Sequence, residues 1–211
     1  MRSNTSRTLG LVALSLLAWS IAATVALAFD SPLSSEAIRD AYFLATGNPQ
    51  KRTAFFNEYT HYPAVPESGP SISSIQIETP FASTVEDIAM NSLNYREPDV
   101  QQDFFGKPAD FRVQVQIAFT ATYPPSTTTS MQLGNFWDDF TIHLMQSGNE
   151  IGSRSVKGIP LYSDRTISGY IGATLVADYD ARRIDSGPVT VVVTGPDDAR
   201  VESEFDLANL R

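Results

Sequence analysis

"FRVQVQIAFTATY", residues 111–123, alternates apolar and polar side chains more regularly than any other part of the chain. Phe111, Val113, Val115, Ile117, Phe119 and Ala121 fall on one side; Arg112, Gln114, Gln116 and Thr120 fall on the other. A period of two is the signature of a half-buried strand, because successive side chains of extended backbone point to opposite faces. One apolar face demands a second layer to cover it, which favours antiparallel sheet over the continuous apolar runs of a parallel one.

Downstream, the same rhythm returns in short pieces: "DDFTIHLMQ", "EIGSRSVKG", "TISGYIGATLVADYD", "PVTVVVTG" and "ARVESEFDL". Turn-forming "SGNE", "YSDR" and "GPDD" separate several of them, and "PPSTTTS" breaks the chain after the long strand. Short strands with no helical pattern between them predict an antiparallel β-sandwich of about seven strands, an immunoglobulin-like arrangement being among the forms this admits.

Upstream the period is helical. "SPLSSEAIRDAYFLATG" offers Ser34 as cap, Glu36 in the first turn and Gly47 as the stop, with Ile38, Ala41, Tyr42 and Ala45 on one face. "NPQKRTAFFNEYT" pairs Asn48 as cap with Pro49 at the first helical position. "HYPAVPESGP" is a proline-broken connection, "SSIQIET" a short strand with Ile75 and Ile77 on one side. Thr79 and Pro80 then open a helix carrying Phe81, Val85, Ile88, Ala89 and Leu93. A helical turn in "EPDVQQDFFG" closes at Gly106. The fold class expected is therefore α+β, mainly β, with a helical region at 29–106, a sandwich at 107–211, and both in one compact unit.

Residues 1–28 stand apart as a signal peptide or an N-terminal anchor. Arg2 and Arg7 precede an uncharged apolar run from Leu9 to Ala28 that closes on "ALA", a small-x-small cleavage pattern. Its 20 residues also suffice to span a bilayer, so an anchor formed by residues 9–28 is the alternative to cleavage. Both readings place the remainder outside the cytoplasm, periplasmic or secreted. The chain has no cysteine, so no disulfide supports this domain and its apolar core must. Without Arg2 and Arg7 the 15 basic residues become 13 against 24 acidic ones, a net charge of −11. Such a surface repels nucleic acid and anionic lipid. A membrane contact is expected only through an uncleaved leader.

Candidate sites are few. "ADYDARRID" (177–185) and "TGPDDAR" cluster Asp178, Asp180, Asp197 and Asp198, a set of oxygens that could meet around calcium if the loops share one end of the sandwich. An EF-hand loop counted from Asp178 fails, with Arg182 at position five, Arg183 at six and Val189 at twelve. The competing reading has Arg182 and Arg183 neutralise the first pair while Asp197 and Asp198 serve a turn. No other cofactor is indicated. Nucleophilic catalysis lacks a cysteine and a G-x-S-x-G elbow; of the two histidines, His143 reads as the solvent side of a strand and His61 as the end of a helix. Trp137 in "GNFWDDF" is the sole tryptophan after the leader and a candidate stacking platform for a sugar or peptide, against the commoner role of a core ring. Arg154 and Arg165 read as strand-end charges.

The segments "SSEAIRDAYFLATG", "FWDDFTIHL", "RSVKGIPLY" and "VESEFDLANLR" resemble a loose set of uncharacterised exported bacterial proteins. That resemblance implies export and a shared architecture and carries no activity or site. The function expected is a non-enzymatic exported module that binds or supports another cell-envelope component, protein or glycan. A carboxylate-dependent hydrolase of envelope polymers and a carbohydrate-binding module are the alternatives.

Overall fold

The computed structural model describes residues 31–92, 95–107, 110–123, 134–163, 170–196 and 199–211. The leader, Leu93, "PPSTTTS", Arg165, Asp197 and Asp198 lie outside the described residues. Among the described residues no helix is long and apolar enough to cross a membrane.

Among the described residues, four α-helices and nine strands follow in chain order: α1 (Ser35–Thr46), α2 (Pro49–Glu58), β1 (Thr60–His61), β2 (Ser71–Glu78), α3 (Pro80–Met90), α4 (Glu97–Phe104), β3 (Asp110–Ala118), β4 (Thr141–Gln146), β5 (Asn149–Ile151), β6 (Ser155–Tyr162), β7 (Tyr170–Asp180), β8 (Pro188–Thr194) and β9 (Arg200–Asp206). All pairings are antiparallel, in a five-stranded sheet of order β1-β2-β3-β7-β6 and a four-stranded sheet of order β5-β4-β8-β9. The count of nine exceeds the expected seven because β1 and β5 are only two and three residues long. The order matches the immunoglobulin sandwich: β2, β3, β7 and β6 take the places A, B, E and D, and β5, β4, β8 and β9 take C′, C, F and G. Its departure is between A and B, where α3 and α4 stand in place of a short turn.

The alternation that opens the sequence behaves as physics requires up to a point. Phe111, Val113, Val115 and Ile117 are fully buried, facing Ile142, Leu144, Val191, Val193 and Phe205 of the other sheet. Ala121, expected on the same face, is exposed: the strand ends at Ala118, and Thr120 and Tyr123 exchange backbone hydrogen bonds across a tight turn. In β2 the strand starts earlier than its sequence suggests. An irregularity between Ile72 and Ser74 shifts the phase by one residue, so Ile72 joins Ile75 and Ile77 in the core.

The helix caps form as read. Ser34, Asn48 and Thr79 accept backbone N–H bonds at the starts of α1, α2 and α3. Ile38, Ala41 and Ala45 of α1 pack with Phe81, Val85 and Ile88 of α3 and Val100 of α4 in a second apolar cluster. Phe55 and Phe56 of α2 touch both that cluster and the sandwich core.

Candidate functional site

Glu78, the last residue of β2, has no exposed surface at all. It lies on the outer face of the five-stranded sheet, where its register partner is Arg112 of β3, itself opposite Asp178 of β7. Arg112 ties the three strands together. Its Nη1 donates to Glu78 Oε2 at 3.4 Å and its Nε to Asp178 Oδ1 at 2.9 Å. Ser155 of β6 donates to the other Asp178 oxygen at 2.9 Å. Gln114 donates to Glu78 Oε1, and Ser83 of α3 donates to Oε2 at 3.3 Å.

This row sorts its carboxyls by environment. Burial opposes the charge on Asp178, but the bonds from Arg112 and Ser155 outweigh it and hold the group below the usual carboxylate range. Glu78 goes the other way, pushed up to about 7 by burial first and by the neighbouring Glu86 second. Asp87 is also raised, again mainly by burial. Next to these groups a cavity of about 220 Å³ opens between α3 and the start of β3, lined by Asp87, Lys107, Asp110 and Arg112 among others. Glu78 does not line it.

The proposed calcium ligands sit as follows. Asp178 and Asp180 share one face at the end of β7, as the sequence suggests. Their oxygens are taken by guanidinium groups: Asp178 by Arg112, Asp180 by Arg182 at 2.8 Å and Arg154 at 2.7 Å. The bonds from Arg182 hold Asp180 far below the carboxylate range. Arg112 comes from β3 and Arg154 from the bend just before β6, so two of the three neutralising arginines are not the adjacent pair expected. Among the described residues no three His, Asp or Glu side chains gather as a metal site.

Trp137 sits in a 3₁₀ turn before β4, half-buried, with Phe136 edge-on at 5.4 Å. Its indole lies against Gly158 of β6, where any Cβ would enter the ring. One end of the sandwich thus carries an aromatic group of Phe119, Tyr123, Phe136 and Trp137 that holds an edge strand in place. His143 is on the outer face of β4 and bonds Glu150 at 2.6 Å, while His61 is exposed on β1.

Among the described residues the four sheet edges differ in character. β1 and β5 are very short; β9 presents Arg200, Glu202, Glu204 and Asp206 to solvent. β6 is eight residues long and exposes Val156, Ile159 and Tyr162, each about half accessible, beside Ile171 of β7. Pro160 and Lys157 in "RSVKGIPLY" are residues that edge strands favour, and the sheet order places β6 at an edge. Neither the protein-family models nor the curated proteins compared with this chain return a match.

Proposed function

We propose that this chain is an exported, non-enzymatic binding module that takes an extended strand of a cell-envelope protein along β6. The observation that carries the reading is the contrast between edges: three are truncated or charged, which protects a sheet from unwanted pairing, and the fourth is long and apolar. An added strand gains main-chain hydrogen bonds along the edge, and alternate side chains meeting Val156 or Ile159 supply selectivity. Lys157 and Pro160 restrain indiscriminate pairing, since a charge and a missing N–H both weaken a nonspecific ladder. Export rests on the leader at residues 1–28, and the resemblance to exported proteins agrees with it.

The hydrolase alternative ranks lower because Glu78, the carboxyl best suited to acid catalysis near neutrality, has no surface a polymer could reach. A glycan platform at Trp137 ranks lower because the ring already lies on Gly158. The test is a photo-activated cross-linking residue at Ile159 in the producing cell, with Glu204 on β9 as control. One discrete adduct from Ile159, lost when Val156 is changed to Asp, supports the reading. Equal labelling from both positions refutes it.

A further inference from the structure

The helices inserted between β2 and β3 build the cavity of about 220 Å³ at the start of β3. Its floor is apolar. Leu33, just ahead of the Ser34 cap, and Pro80, at the start of α3, are buried, and Phe104 at the end of α4 is half-buried. Thr84 directs its hydroxyl to the Pro80 carbonyl at 2.9 Å and away from any need of a further partner. The rim is charged, with Asp87 and Lys107 both exposed. Gly106, at φ 71°, turns the chain back after α4 in the left-handed conformation that glycine tolerates. The Lys107 N–H then closes on the Phe104 carbonyl at 3.3 Å, which holds this lysine at the mouth.

Four charged side chains line the cavity, and two of them are neutralised within the fold. Asp110 pairs with Arg154, and Arg112 with Glu78 and Asp178. The other two are not. Asp87 accepts hydrogen bonds from Asn91 only at its backbone carbonyl. Among the described residues neither its carboxylate nor the Lys107 ammonium has a hydrogen bond or an ion pair. Opposite charges thus line one small cavity without meeting across it. Arg112 adds a third open position: its bonds leave from Nε and Nη1, and Nη2 bonds to no described residue.

We propose that this cavity binds a free α-amino acid with an apolar side chain. Three groups diverge from the α-carbon of such a molecule, and the cavity offers a match for each. The carboxylate faces Lys107 and Arg112 Nη2, the ammonium faces Asp87, and the side chain lies on Leu33, Pro80 and Phe104. Both charges are required. A lone carboxylate would lie beside Asp87 and a lone amine beside Lys107 and Arg112, and each mismatch rejects the singly charged analogue. The volume sets the size class: it falls below the roughly 300–1,000 Å³ of pockets that take drug-sized molecules, which suits a single amino acid and not a peptide. No residue of β6 lines the cavity, so the proposal stands or falls apart from the strand-binding reading.

Proton–nitrogen correlation NMR of the full chain, titrated with L-leucine and with L-phenylalanine at neutral pH, tests this. Saturable shifts are expected at the amides of Ser83, Thr84, Asp87 and Lys107, with none at Val191 or Val193 in β8. N-acetyl-L-leucine lacks the ammonium and L-leucinamide lacks the carboxylate; each is expected to bind roughly tenfold more weakly than leucine. Leucine itself is expected to bind Asp87→Asn and Lys107→Met roughly tenfold more weakly. Both side chains are exposed and bond to no described residue, so these variants keep the fold. The absence of saturable shifts with either amino acid up to about 20 mM overturns the proposal. So does undiminished binding of either blocked compound, or a leucine Kd that either substitution leaves unmoved.

Discussion

Replacing Tyr59 by phenylalanine removes one oxygen from a fully buried ring, and the structure sets the size of the effect. That hydroxyl donates to the carbonyl of Arg211 at 2.8 Å and accepts the Arg211 N–H at 2.9 Å. Burial pushes the phenol up to about 12, so it is a neutral donor at any working pH. Thr79 donates to the same carbonyl while capping α3. The guanidinium of Arg211 adds a 2.7 Å ion pair with Asp40 of α1 and lies 4.8 Å above the Phe81 ring. One residue thus joins α1, α2 and the start of α3. Each net hydrogen bond contributes about 1 kcal/mol, and an orphaned N–H costs a further 1 or so when it cannot reach water. With two bonds lost, Tyr59→Phe is therefore expected to cost about 2–3 kcal/mol, a fall in Tm of roughly 4–12 °C for a domain of this size. Thr79→Val is expected to cost about 2 kcal/mol through the lost cap and the lost carbonyl bond. Because both act on Arg211, the double variant should fall short of the sum by roughly 0.5–1 kcal/mol. Urea unfolding of the four proteins at one pH measures this. A Tyr59→Phe cost under about 0.5 kcal/mol, or strict additivity, would show that Arg211 is not the joint we describe.

Other outcomes follow from the same geometry. Gly158→Ala drives a methyl into the Trp137 ring and is expected to expel it, raising indole exposure by fluorescence red shift and costing about 2 kcal/mol in a urea melt; an unshifted emission maximum contradicts the packing. Arg112→Met removes the guanidinium paired with Glu78 and should cost roughly 3 kcal/mol at pH 8, less at pH 5, where Glu78 is protonated; equal costs at both pH values would be inconsistent with the assigned charge. With Asp178 and Asp180 held by arginines, the melting temperature should not change between calcium and chelator. A calcium-dependent rise would restore the metal reading.

What could be read from the residues was local, and what could not was the company they keep. The caps at Ser34, Asn48 and Thr79 were legible because each needs only its own next three residues. So was the core face of β3, fixed by alternation. Ile72 was hidden because its burial depends on an irregularity against β3, which changes the phase of the pattern. The partner of Asp178 was hidden for a related reason: Arg112 is 66 residues earlier and meets it only across the sheet. Glu78 drew no reading from the sequence. Its enclosure arises from α3 turning back over it, which no neighbouring residue announces. The edge status of β6 likewise depends on the order of strands.

The insertion of α3 and α4 between β2 and β3 also governs how quickly the molecule can assemble. Ser71 finds Ala118 across 47 residues, and Asp110 finds Asp180 across 70. Loops of that length close against entropy before any ladder rewards them, so refolding belongs on the millisecond-to-second scale of all-β domains. For that interval the strands of the larger sheet stand unpaired and open to other chains.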